Sequence, residues 1–178
     1  MIPNRFRPLR AVLVATAVAL LAGCGFHLRQ SASLPAGMKK VHLTVSGGGM
    51  LERDLTRALE NSGAEIVDKP GVDTAEVAVT NNAFRTDSLT VSGTARVTEY
   101  AVRYHVDFNV RAGDGTPIVP SQSVDMSREF SYDATNTIGT ASQTEELQRS
   151  LIGDMVQSIL FRLQAAGAHS TVAKPAGT

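Results

Sequence analysis

The 178-residue chain balances 17 Lys+Arg against 17 Asp+Glu and holds one cysteine and no tryptophan. A balanced charge without a basic stripe excludes an ordinary nucleic-acid binder, and a lone cysteine excludes any disulfide within the chain. Residues 24–178 suffice for one domain with a core and two tails, and no repeat of solenoid period divides them.

Residues 1–23 read as an export signal: Arg5, Arg7 and Arg10 give a positive start, and Ala11 to Ala22 is an almost unbroken apolar run. The run falls short of the roughly 20 apolar residues that a spanning helix needs. The tetrapeptide Leu21-Ala22-Gly23-Cys24 that closes it resembles the lipobox of bacterial lipoprotein precursors. That resemblance implies cleavage before Cys24, an S-diacylglycerol on its thiol and an N-acyl chain on its freed amine, with no other cofactor. Loss of the three signal arginines takes the cationic count from 17 to 14 against 17 acids, so the mature chain is acidic by three charges. Thirteen of the 17 cationic residues are arginine, which favours local bidentate contacts with anions over a general positive field.

Residues 24–37 lack a clear period and contain Ser31, Ser33 and Pro35, as suits a tether between lipid and fold. Val41, Leu43 and Val45 then alternate with Lys40, His42 and Thr44, the period of a half-buried strand. After Gly47-Gly48-Gly49, the spacing of Leu51, Leu55, Ala58 and Leu59 puts them on one helical face, and Gly63 is a natural stop. Ile66-Val67, Val77 with Val79, and Leu89 with Val91 read as strand fragments broken by Pro70-Gly71 and by Asn81-Asn82. From Glu99 to Arg111 the alternation is nearly strict: Tyr100, Val102, Tyr104, Val106, Phe108 and Val110 on one side, charged and polar residues on the other. One face of this long strand is core and the other is wet, as in an antiparallel sheet covered on one side.

Gly113-Asp114-Gly115 supplies a hairpin turn, and Val124, Met126, Phe130 and Tyr132 continue the alternation in the returning strand, with Arg128 falling on their side. A polar stretch from Asp133 to Ala141 leads to Ser142-Gln143-Thr144-Glu145, a capping box that predicts a helix start. The helix carries a wide apolar stripe from Leu147 to Leu163, and residues 167–178, which lack a period, are expected to be a disordered tail. The predicted body, residues 38–166, is α+β: two helices packed on one face of a mixed, largely antiparallel four-stranded sheet.

Catalytic chemistry finds little footing. His27, His42, His105 and His169 offer no pair at metal-ligand spacing, and the one thiol is committed to lipid, so neither a metal site nor a cysteine nucleophile is expected. The triple glycine lacks the Lys-Ser/Thr of a P-loop, and Ser92-Gly93 lacks the glycine that a nucleophile elbow carries before its serine. Glu99 and Asp107 share a strand face eight residues apart, about 27 Å, too far to share a substrate. A binding module remains, with Arg96, Arg103, Arg111 and Arg128 near the strands as contacts for an anionic lipid or a partner protein. Residue types alone leave open a free periplasm-facing lipoprotein that binds another anionic ligand or envelope component.

Several segments together resemble one family, the lipopolysaccharide-assembly lipoproteins LptE, formerly RlpB. Cys24-Gly25-Phe26-His27-Leu28-Arg29 is similar to that family's CG-aromatic-HLR start, and Leu34-Pro35 continues it. Leu55, Arg57, Leu59 and Gly63 followed by a hydrophobic pair and Asp68, the Glu99-Tyr100 pair opening the long strand, and the helix from Met155 to Leu163 follow in the family's order, over residues 21–165. The resemblance implies a non-enzymatic outer-membrane lipoprotein, body on the periplasmic side, that assists assembly of the β-barrel LptD, plugs its lumen, and works with it in lipopolysaccharide transport to the outer leaflet. Gly25, where an Asp would signal inner-membrane retention, agrees with the outer membrane. For contact with lipopolysaccharide the resemblance points to Arg96, in the turn before Glu99-Tyr100; the loop that is basic in some members has no Lys or Arg here between Ile138 and Thr144.

Overall fold

The computed structural model describes residues 34–91, 97–131 and 137–172, all within a unit that runs from Ala32 to Thr178. The signal, Cys24 and most of the tether, Arg96, Tyr132 and residues 173–178 lie outside the described residues. In chain order the elements are β1 (Lys40–Val45), α1 (Met50–Asn61), β2 (Glu65–Ile66), β3 (Ala75–Val91), β4 (Val97–Arg111), β5 (Pro117–Ser131) and α2 (Thr137–Val172). The strands form one sheet in the order β2-β1-β3-β4-β5. β1 runs parallel to β2 and β3, while β4 runs antiparallel to both of its neighbours, β3 and β5.

The α+β expectation of two helices on a mixed sheet holds, but the sheet has five strands where four were expected. β2, two residues long, pairs with Lys40 and Val41 at the sheet edge, and so short a strand carries no readable period. Nor do Asn81-Asn82 break the chain. β3 runs unbroken for 17 residues, and the register slips by one between Val79 and Asn81 as its partner passes from Phe108 to Asp107. This bulge exchanges the strand's faces, so that Val79 lies opposite Phe108 and, beyond it, Phe84 lies opposite Tyr104. Long-range partners satisfy the two amides. Asn81 Nδ2 donates to the Asp107 carboxylate at 3.3 Å, Asn82 Nδ2 to the Ser46 carbonyl at 3.2 Å, and the Tyr104 hydroxyl donates to Asn82 Oδ1 at 2.8 Å.

Alternate residues of β4, from Val102 to Val110, are fully buried and join Val77, Val79, Val119 and Val124 in one cluster with Leu51, Leu55 and Leu59 of α1 and Leu151, Met155, Ile159 and Leu163 of α2. Both helices pack on the sheet and on each other. Gly47, Gly48 and Gly49, with φ of 77°, 56° and 82°, turn the chain from β1 into α1 through the left-handed region, which only glycine enters freely.

α2 starts at Thr137, not at Ser142, and the Thr144 hydroxyl donates to the Thr140 carbonyl within the helix. Its first turns carry no apolar stripe, which is why periodicity marks the helix only from Leu147. The expected boundary at Gly167 is likewise corrected: the helix runs on to Val172, and Gly167 is buried inside it. Ala165, Ala166 and Ala168 flank that glycine, and their high helix propensity offsets its cost of about 1 kcal/mol.

Gly113, in the β4–β5 hairpin, touches the loop before β3 so closely that a Cβ there would overlap the carbonyls of Gly71 and Val72. Gly113→Ala is expected to lower the unfolding free energy by about 1–3 kcal/mol, since two backbones must part. Gly153→Ala, in α2 with open space around its Cβ, is expected to raise it by about 0.5–1 kcal/mol. Urea denaturation of both variants checks the opposite signs.

Candidate functional site

Because helices cover one side of the sheet, β3, β4 and β5 present the other as an uncovered polar face. The registers Ala83↔His105, Arg85↔Arg103 and Asp87↔Ala101 from β3 to β4, with Arg103↔Ser127, His105↔Asp125 and Asp107↔Ser123 from β4 to β5, assemble it. Two charge clusters lie side by side. In the first, Arg85 Nε pairs with Asp87 at 3.0 Å and Arg103 Nε with the same carboxylate at 2.7 Å. In the second, the His105 ring meets Asp125 through Nδ1 at 2.8 Å and Asp107 through Nε2 at 3.1 Å, while Ser123 and Asn81 donate to Asp107. Ala83, Phe84, Arg85, Arg103, His105 and Asp125 line a shallow depression that spans both.

Hydrogen bonds that the His105 ring donates to Asp125 and then to Asp107 raise its pKa above the ordinary 6.5. Bonds from Ser123 and then His105 hold the Asp107 carboxyl below its ordinary 3.8. The raised histidine contributes stability that is complete below 6.5 and is lost as pH rises through its folded value; the depressed aspartate contributes stability that is complete above 3.8 and is lost as pH falls through its lower folded value. The cluster is therefore firmest between pH 3.8 and 6.5. An NMR titration is expected to place His105 above 6.5, and Asp125→Asn to bring it down. A His105 midpoint at or below the ordinary value contradicts this arrangement.

The arginines singled out from sequence scatter. Arg103 joins the first cluster, and Arg111 lies across from Glu76 toward the opposite end of the sheet. Arg128 faces the helices, where Nη2 holds Asp154 of α2 at 2.6 Å, so the charge that interrupts the apolar side of β5 is a strut between strand and helix. Arg96, in the connection from β3 to β4, and Cys24 lie outside the described residues. Sequence reading missed Arg85, placed beyond the supposed break at Asn81-Asn82. The alternation Ala83, Phe84, Arg85 was the signal there, and it ran in the phase that the bulge later explained.

Among the described residues no helix is long and apolar enough to cross a membrane. A model of the LptE family, described as lipopolysaccharide-assembly, matches residues 38–163. The chain is 26% identical over 152 residues to the LPS-assembly lipoprotein LptE of Photorhabdus laumondii, covering 82% of this chain and 84% of that one. It is 26% identical over 154 residues to the protein of the same name from Yersinia enterocolitica, covering 85% and 73%. Its fold is similar to the solution structure of lipoprotein B from Nitrosomonas europaea, with a TM-score of 0.67 and 23% identity over 83% of this chain and 93% of that one. The family match spans the sheet, its uncovered face and most of the closing helix, and on that ground the chain belongs to the LptE family.

Proposed function

We propose that the mature chain is an outer-membrane lipoprotein, held by lipid on Cys24, that assists assembly of the LptD β-barrel, plugs its lumen and takes part in carrying lipopolysaccharide to the outer leaflet. The match of the LptE family over residues 38–163 carries this reading, with the lipobox cysteine ahead of it. The geometry is compatible with a plug. The lumen of an outer-membrane barrel is polar, and a body placed there must offer it a polar surface. The uncovered face supplies such a surface, with Asp87, Asp107 and Asp125 answering Arg85, Arg103 and His105.

The mechanism is one of contact and scaffolding, without bond chemistry. Arg96 belongs to it as a contact for the phosphates of lipid A, which suit a guanidinium fork. Arg96→Asp is expected to lower lipopolysaccharide binding while the melting temperature stays within a few degrees, and unchanged binding removes Arg96 from the account. The partner is tested by purifying the tagged lipoprotein from detergent-extracted outer membranes. A large barrel is expected to remain bound through washing; a preparation free of any barrel contradicts the plug.

A further inference from the structure

We infer that Arg85 and Arg103, clamped by Asp87, form a phosphate-ester site on the uncovered sheet face, in addition to the contact proposed for Arg96. The inference rests on the lipopolysaccharide reading for its natural ligand, the phosphorylated sugar headgroup of lipid A, and on geometry for the site itself.

Two like charges directly opposite each other across antiparallel strands destabilise the pair. Arg85 and Arg103 are such a pair, and Asp87 neutralises only one of them. Among the described residues neither guanidinium has a second acid partner, so one positive charge remains. The acid engages both through Nε, which fixes the plane of each fork at its inner edge and leaves the Nη groups for an outside anion. Arg85 is 73% and Arg103 49% exposed, so the forks are reachable without unfolding any contact. Ala83 keeps the floor of the depression low, and His105 closes its rim with both ring nitrogens already engaged by Asp125 and Asp107. A phosphate monoester offers several oxygens to such paired forks, and charge-assisted bidentate bonds of this kind are among the strongest in proteins. Asp125, which lines the same depression, opposes an anion and limits the affinity.

The test uses the full mature lipoprotein in detergent, comparing wild type with the double variant Arg85→Gln/Arg103→Gln, after circular dichroism shows equal melting. The probes are lipid A with both phosphates, the same lipid stripped of phosphate, and glucose 1-phosphate as a free ester. Wild type is expected to prefer phosphorylated over stripped lipid A by about tenfold or more, and the double variant to lose most of that preference, keeping only the part that Arg96 carries. Asp125→Asn is expected to tighten binding. Glucose 1-phosphate bound by wild type and lost in the double variant identifies the ester alone as sufficient. A double variant that keeps the wild-type phosphate preference undiminished overturns the site, as does a wild type that binds none of the probes. Lipid A bound without regard to phosphate leaves the lipopolysaccharide reading standing and removes the clamp. Glucose 1-phosphate held through the two arginines, with no binding of lipid A, does the reverse. If the double variant binds lipid A normally but loses the barrel, the face is a protein contact and the inference is wrong.

Discussion

Tyr104→Ala is expected to lower the unfolding free energy by about 3–5 kcal/mol, a large share of the 5–15 kcal/mol typical of a domain. The ring is fully buried in β4 and stacks on Phe84 of β3 with centroids 4.0 Å apart and planes 5° from parallel. Its hydroxyl donates to Asn82, whose amide in turn donates to the Ser46 carbonyl at the start of the turn into α1. One side chain thus ties the bulge in β3 to the core and to the β1–α1 connection. Tyr104→Phe keeps the stack and leaves Asn82 Oδ1 without its donor, at a cost of about 1–3 kcal/mol. Burial pushes the Tyr104 phenol above the ordinary tyrosine range, so it stays protonated well into alkaline solution. Urea denaturation of the two variants separates packing from hydrogen bond. Equal small losses for both would mean that the ring does not organise the core.

Cys24→Ala is expected to abolish palmitate labelling, leave the leader uncut and release the body from the outer membrane. Each buried CH₂ contributes about 0.8 kcal/mol, and one acyl chain binds only marginally where more than one anchors stably. Loss of the whole lipid therefore removes attachment, while the fold stays intact because its core begins near Met38. Barrel retention is scored in the same preparation. Palmitate incorporated into the alanine variant would place the lipid elsewhere and break the reading of the lipobox.

The legibility of the chain followed the locality of its physics. β4 was readable because a sheet covered on one side imposes a period of two on a single segment, and α1 because Leu51, Leu55 and Leu59 sit on one helical face. β3 was not, because asparagine pairs mark turns when their amides find local partners, and here Asp107, Ser46 and Tyr104 supply distant ones. The capping box at Ser142 misplaced the helix start, because the helix begins at Thr137 and its first turns carry no apolar stripe to mark them. The Arg85–Asp87–Arg103 cluster depends on register between strands, which the bulge sets and composition does not reveal. Arg128 looked like a surface contact until the packing of α2 on β5 placed Asp154 beside it.

In the proposed function an anchored sheet-and-helix body serves lipopolysaccharide delivery through contact alone. Controlled depletion of the chain in living cells, with newly made lipopolysaccharide followed by pulse labelling, tests it most directly. The account predicts that labelled lipopolysaccharide stops reaching the cell surface and collects behind the outer membrane, and that the wild-type chain restores its passage. Undiminished arrival at the surface in depleted cells would contradict it.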